Sequence, residues 1–148
     1  MDEDLVVIYL DRLRESTGLN PDRGFEWNES EFVNLRDITD GLRNGLIPEE
    51  EPYGDEYRYE VKSYKDKEWH VRRVIYYVKN PHEITGIQID NQTMRNYILP
   101  SAKVIDGNHR LLAALWLGLE TVKVFYGGRQ DVLDYLCGTV DDAPEDVC

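Results

Sequence analysis

The stretch Val104–Gly118, VIDGNHRLLAALWLG, decides how the chain is read. A strand ends, Asp106-Gly107 turns tightly, and a helix begins. Asn108–Leu117 (NHRLLAALWL) is dense in strong helix formers, with Leu111, Leu112, Ala114 and Leu115 available for packing. Gly118 stands where a helix ends in a left-handed glycine. On either side, Ala102–Ile105 (AKVI) and Thr121–Phe125 (TVKVF) read as strands. Strand, helix and strand within about 25 residues predict the shortest form of a βαβ-like unit.

Working outward, Ile84–Asp90 (ITGIQID) alternates Ile87 and Ile89 against Gln88 and Asp90, a half-buried strand. Asn91–Pro100 reads as a connection. Val71, Val74, Ile75 and Val78 fall at i, i+3, i+4 and i+7, an amphipathic helix from Trp69 that Asn80-Pro81 ends. His70 and His82 beside it read as surface groups, because their neighbours form no metal-ligand pattern. Leu5–Leu10 (LVVIYL) reads as a first strand or as the opening of a helix through Leu13, and Gly18–Gly24 breaks the chain. Ser30 is placed to cap a helix carrying Phe32, Val33, Leu35, Ile38 and Leu42, weakened by Gly41 and Gly45. Pro48–Gly54 is an exposed loop and Tyr57–Tyr64 an extended alternation. Val132–Leu136 is a short closing helix, and residues 139–148 a frayed tail. The expected fold is α+β: a small mixed sheet with helices, in one domain over residues 1–148.

At 148 residues with 41% hydrophobic content, the chain has enough apolar material for a core. No apolar run approaches the ~20 residues of a membrane span, and the acidic start MDEDLVVIYL lacks the basic region of a secretion signal. The expectation is a soluble, cytoplasmic protein. The formal charge is −12, and it is uneven: −11 over residues 1–60, +3 over 61–100 and −4 over 101–148. An acidic balance disfavours broad nucleic-acid or membrane coating. The acidic residues 1–60 read as a solvated face, or as a docking face for a basic protein partner. Cys137 and Cys148 read as two free thiols.

The turn itself carries the chemistry. A helix start presents backbone N–H groups and the positive end of the dipole, which suits anions and phosphate above all. Gly107 permits close backbone approach. Arg110 offers a bidentate fork, His109 a donor or exchangeable proton, and Asn108 an amide donor. Asp106 suits a metal ligand for Mg²⁺, a group that orients His109, or a plain N-cap. Tyr53, Tyr57, Tyr59 and Tyr64 suit strand packing or a stacking platform for a base.

DGNHRLLAALWLG followed by TVKVF resembles the ParB/sulfiredoxin superfamily, over residues 84–125. There a strand, a G-x-[HR]-R turn, an alanine-rich helix, a glycine and a strand form a clamp for a nucleoside triphosphate. The resemblance implies that Gly107, Asn108, His109 and Arg110 contact phosphates and that Asp106 is the acid of the related D-G-H-H-R turn. GIQID (Gly86–Asp90) stands for the family's P-I-x-[VI]-D strand, with glycine in the proline's place. Asn108 occupies the position of the sulfiredoxin cysteine, so reductase chemistry by that route is excluded. A chain of this length has no room for both the helix-turn-helix module and the dimerisation tail of partition proteins.

The function expected from these residues is binding of ATP or another nucleotide with Mg²⁺, and phosphoryl transfer or hydrolysis. Asp106 and His109 are the catalytic candidates, Gly107–Arg110 the phosphate site and Asp106 the metal ligand. Glu83 is one candidate for a base. Alternatives are a non-catalytic acidic interaction or inhibitor protein on the same fold, of mobile-element or phage type, and a ParB-like nuclease.

Overall fold

Period-two and period-3.6 patterns alternate along the chain, and the computed structural model resolves them into a sheet with helices. It describes residues 5–20, 22–26, 32–50 and 66–145. Ser30, Tyr53, Tyr57, Tyr59, Tyr64, Cys148, the extended alternation of residues 57–64 and the loop beyond Glu50 lie outside that range. In chain order the elements are β1 (Val6–Tyr9), α1 (Leu10–Thr17), β2 (Phe25–Glu26), β3 (Phe32–Val33), α2 (Leu35–Arg43) and α3 (Lys67–Lys79). A 3-10 turn (Pro81–Glu83), β4 (Thr85–Met94), β5 (Tyr97–Asp106), α4 (Asn108–Leu117), β6 (Thr121–Tyr126) and α5 (Gln130–Leu136) follow. The fold is α+β with a four-stranded mixed sheet in the order β1-β6-β4-β5. No helix of the described residues is long and apolar enough to cross a membrane.

The sheet buries one face. Ile8, Ile87, Ile89, Ala102, Val122 and Val124 point into the core, while Val7, Gln88, Asp90, Lys103 and Lys123 between them face out. This is the alternation expected of a sheet covered on one side. The helices close the other side of the core with Leu13, Ile38, Val74, Ile75, Leu111, Leu112 and Leu136, all at most 1% exposed. Gly41 does more than weaken α2. A Cβ there would lie 2.9 Å from Val71 Cγ1 and 3.0 Å from Ile75 Cδ1, so its bareness lets α2 and α3 approach.

Several boundaries differ from the sequence reading, each for a local reason. LVVIYL is a strand that passes straight into a helix: Tyr9 is extended and Leu10 already helical. The helix expected after Ser30 begins at Leu35. Asn34 caps it reciprocally, accepting from the Asp37 N–H while Asp37 accepts from the Asn34 N–H. Phe32 and Val33 instead pair with β2. Asn91–Pro100 is not a connection but most of a hairpin, with Met94 opposite Tyr97 and Arg95 in the left-handed region (φ 58°) at the turn. The strand-helix-strand segment is not a parallel βαβ unit, because β4 lies between β5 and β6, antiparallel to the first and parallel to the second. Thr139 and Val140, expected to fray, donate to the Asp134 carbonyl, and Arg12 holds the Val140 carbonyl.

Two glycines set the limits of α4. Gly107 has φ 101°, and a Cβ there would lie 3.2 Å from both Cα and Cγ1 of Ile87 on the central strand. Gly118 has φ 70° with open space around it. Gly118→Ala is therefore expected to cost about 1–2 kcal/mol, the left-handed penalty alone. Gly107→Ala adds a steric conflict with backbone and is expected to cost about 3 kcal/mol or more. Urea unfolding midpoints of the two variants check the order.

Candidate functional site

Helix α3 carries two inward stripes. Val71, Val74 and Ile75 form the apolar one that its periodicity predicts. The second is polar: His70, Arg73 and Tyr77, at i, i+3 and i+7, are all buried. Helix α3 can bury them because α4 packs along it and brings His109 and Arg110, its second and third residues, against that stripe. The result is a polar seam between α3 and α4, beside the Gly107 turn.

His70 is 0% exposed, which corrects its reading as a surface group. Its Nδ1 lies 2.9 Å from His109 Nε2. The two rings are nearly coplanar, 11° apart, with centroids 5.2 Å apart. An in-plane N–H···N bond accounts for that separation, so the rings meet end to end rather than face to face. One ring donates and the other accepts, which requires at least one of them to be neutral. Trp69 meets both rings edge-on at 5.2 and 5.8 Å. Burial foremost, then the Coulombic influence of His70, Arg73 and Arg110, pushes the His109 imidazole well below the usual histidine range. His109 is therefore neutral at pH 7. His82, in contrast, is exposed as expected.

Arg73 is 7% exposed. It donates to the Glu49 carbonyl (2.9 Å) and the Tyr77 hydroxyl (2.7 Å), both neutral acceptors. Its guanidinium lies 4.7 Å from the Tyr77 ring centre, and that of Arg110 lies 5.5 Å from the same ring. Arg110 Nε is buried without a hydrogen-bond partner among the described residues. Neither guanidinium forms an ion pair there, although Arg72, Lys67 and Arg129 each do.

The five residues singled out in sequence are thus contiguous but face different surroundings. Asp106 ends β5 and is exposed, opposite Gln88 across the ladder. It is neither the cap of α4, which is Gly107 with no side-chain bond, nor the partner that orients His109, which is His70. The first intrahelical bond runs from the Leu111 N–H to the Gly107 carbonyl, so the amides of Asn108, His109 and Arg110 point out of the helix end. Ile105 is a bulge: Gln88 and Ile89 are adjacent, yet face Asp106 and Val104. Such a bulge re-aims a strand end, here into the turn. A groove of about 270 Å³ borders Asn108, lined by Leu19, Phe25, Val104 and Leu111 among others. Glu83 accepts from the Tyr76 hydroxyl at 2.5 Å, which raises the phenol above its ordinary value, and sits beside the seam rather than in it. Cys137 is a free thiol, as expected. No group of three or more His, Cys, Asp or Glu suited to a metal occurs among the described residues.

Gly86 corrects one detail of the motif comparison. It sits at φ 78°, at a register break between β4 and β6. Proline, fixed near φ −65°, cannot take that conformation. The position is a glycine bulge in this chain, not a substitute for a proline.

The depressed His109 imidazole gives stability a pH dependence. The unfolded chain binds a proton near pH 6.5 that the folded chain refuses until lower pH. Stability is therefore complete above about pH 6.5 and falls as pH drops towards the folded value, by at most about 1.4 kcal/mol per pH unit for this one group. His109→Gln should flatten that fall by up to one proton's worth, as read from urea unfolding between about pH 7.5 and pH 5.

Compared with protein-family models, curated proteins and solved structures, the chain matches none.

Proposed function

We propose that the β5–Gly107–α4 turn binds the phosphates of a nucleotide and promotes phosphoryl transfer or hydrolysis. The observation that carries this reading is Arg110. Arg110 stands on the first turn of a helix, with one guanidinium nitrogen buried and no acceptor engaged among the described residues, and the same turn carries amides that point out of the helix end. A phosphate oxyanion supplies acceptors to both at once. The groove beside Asn108 offers an apolar surface with the Phe25 ring for a base.

The roles follow from position. The amides of Asn108, His109 and Arg110 and the Arg110 fork hold phosphate oxygens. His109, neutral before the ligand arrives, donates to a phosphate oxygen or exchanges a proton there while His70 fixes its ring. Asp106 is exposed beside the turn and suits Mg²⁺, which keeps waters and takes one or two carboxylates plus phosphate oxygens. When bound, the ion would neutralise developing phosphate charge. Catalysis on this reading is positioning and charge neutralisation rather than covalent chemistry.

Calorimetric titration with ATP, CTP, GTP and ADP in the presence of Mg²⁺ tests it. At least one triphosphate is expected to bind, and Arg110→Ala to weaken it by roughly tenfold or more, the loss of one charge-assisted hydrogen bond. No binding at millimolar nucleotide overturns the reading. The acidic residues 1–60 would then stand as the functional face, with a basic protein as partner.

A further inference from the structure

The charge inside the α3–α4 seam has one sign. Arg73 and Arg110 sit on the same Tyr77 ring at 4.7 and 5.5 Å, and each is permanently cationic. Arg73 has only neutral acceptors and Arg110 none among the described residues. Glu50 acts through space on Tyr76, beside Arg73, and three further acids are engaged elsewhere. Glu83 of the 3-10 turn takes the Tyr76 hydroxyl, Asp37 of α2 takes Lys67 and the Asn34 N–H, and Glu49 pairs through its carboxylate with Arg72. In a chain of net charge −12, two buried or half-buried guanidiniums with no bonded or ion-paired carboxylate among the described residues are an arrangement that needs an explanation. Burying a cation costs several kcal/mol unless an opposite charge and hydrogen bonds offset it.

We propose that the seam is a two-helix oxyanion site, in which Arg73 of α3 and Arg110 of α4 are joint ligands of a multiply charged anion of phosphate or polyphosphate type. This rests on the reading that the start of α4 holds a phosphate, and extends it: the grip comes from both helices. Arg73 becomes a binding residue, and His70 a positioning residue that acts through His109. A proton follows the anion. The charged groups acting on His109 are His70 and Arg73 from α3 and Arg110 from α4 itself, and no carboxylate of α2, β4 or the 3-10 turn offsets them. A dianion placed between the guanidiniums cancels their repulsion of a proton, so the His70–His109 pair binds a proton more readily as the site fills. Binding is then tighter at about pH 6 than at about pH 8.

The test is calorimetry with inorganic pyrophosphate and with ATP, on wild type, Arg73→Gln and Arg110→Gln. Glutamine at position 73 still donates towards Glu49 and Tyr77, and thermal unfolding checks that the variant folds. Should it fail to fold, Arg73→Lys keeps the charge but loses the fork. Support is pyrophosphate binding weakened roughly tenfold or more by either glutamine variant, and several-fold by Arg73→Lys. Proton uptake is read with sulfate, which exchanges no proton itself between about pH 5 and 8, in buffers of different ionisation enthalpy. Uptake of close to one proton in wild type, abolished by His70→Asn with anion binding retained, supports the positioning role; unchanged uptake overturns it. Binding of ATP and pyrophosphate that Arg110→Gln weakens and Arg73→Gln or Arg73→Lys leaves unchanged overturns the seam, while the nucleotide reading stands. Arg73-dependent pyrophosphate binding with no nucleotide bound overturns the nucleotide reading, while the seam stands. No binding of any phosphate overturns both.

Discussion

The contact between Gly107 and Ile87 fixes everything around the candidate site. Ile87 is a fully buried residue of β4, the strand that pairs antiparallel with β5 on one side and parallel with β6 on the other. A bare α-carbon at position 107, at φ 101°, lets the chain leave β5 against that strand and enter α4 at once. An extra carbon 3.2 Å from the Ile87 Cα would force that strand to give by a few tenths of an ångström, in an interior packed closely. Because the first turn of α4 is pinned there, its second and third residues have one place to go, the flank of α3. The site is therefore a consequence of how β4 receives the turn, not of the turn residues alone.

Placing His109 and Arg110 against α3 requires α3 to offer polar partners where a helix would ordinarily bury apolar ones. It does so along His70, Arg73 and Tyr77. Each buried polar contact is worth only about 0.5–1.5 kcal/mol net, while leaving one unmade costs more than making it gains. A seam of this kind therefore adds little stability compared with Leu or Ile in the same positions. What it adds is geometry: an imidazole locked by its neighbour, and two guanidiniums held by one phenol ring. Groups held this way need no reorganisation when a charged ligand arrives. The apolar stripe of α3 and the Gly41 contact to α2 hold the helix in place instead.

Much of this was legible in the residues. Helix α4 has the bounds that its composition and Gly118 predict, and the β4 alternation and the stop of α3 at Asn80-Pro81 appear as read. What was missed depends on partners distant in sequence. NQTMRNYILP carries no apolar alternation and includes Pro100, yet it is strand on either side of the Arg95-Asn96 turn, because it closes the β4–β5 ladder, and the Asn91 and Gln92 side-chain amides add bonds to the Ser101 and Ala102 carbonyls. The cap of α2 is Asn34 with Asp37 three residues on, four residues beyond the Ser30 to which the sequence reading assigns it. His70 reads as a surface group when only metal-ligand spacing around it is considered. Its signal was the i, i+3, i+7 set with Arg73 and Tyr77, a polar row parallel to the apolar one. Such a row is worth reading as a face in its own right whenever it contains arginine and histidine.

The distribution of charge now has a structural meaning beyond its sum. The excess of acids lies in residues 1–60, whereas residues 61–100 carry +3, and α3 supplies Arg73 to the seam from that stretch. A net charge of −12 repels anions at long range, but screening confines that repulsion to about 8–10 Å at physiological salt. Inside the seam the nearest groups decide, and those are guanidiniums and imidazoles in a low-dielectric setting where Coulomb forces are strong. Acidity of the whole is thus compatible with the anion affinity proposed for the seam, because the two act over different distances. On the proposed reading, the same separation would favour a small phosphate compound, which need only meet the seam, over a long nucleic acid that meets the net negative charge along its length.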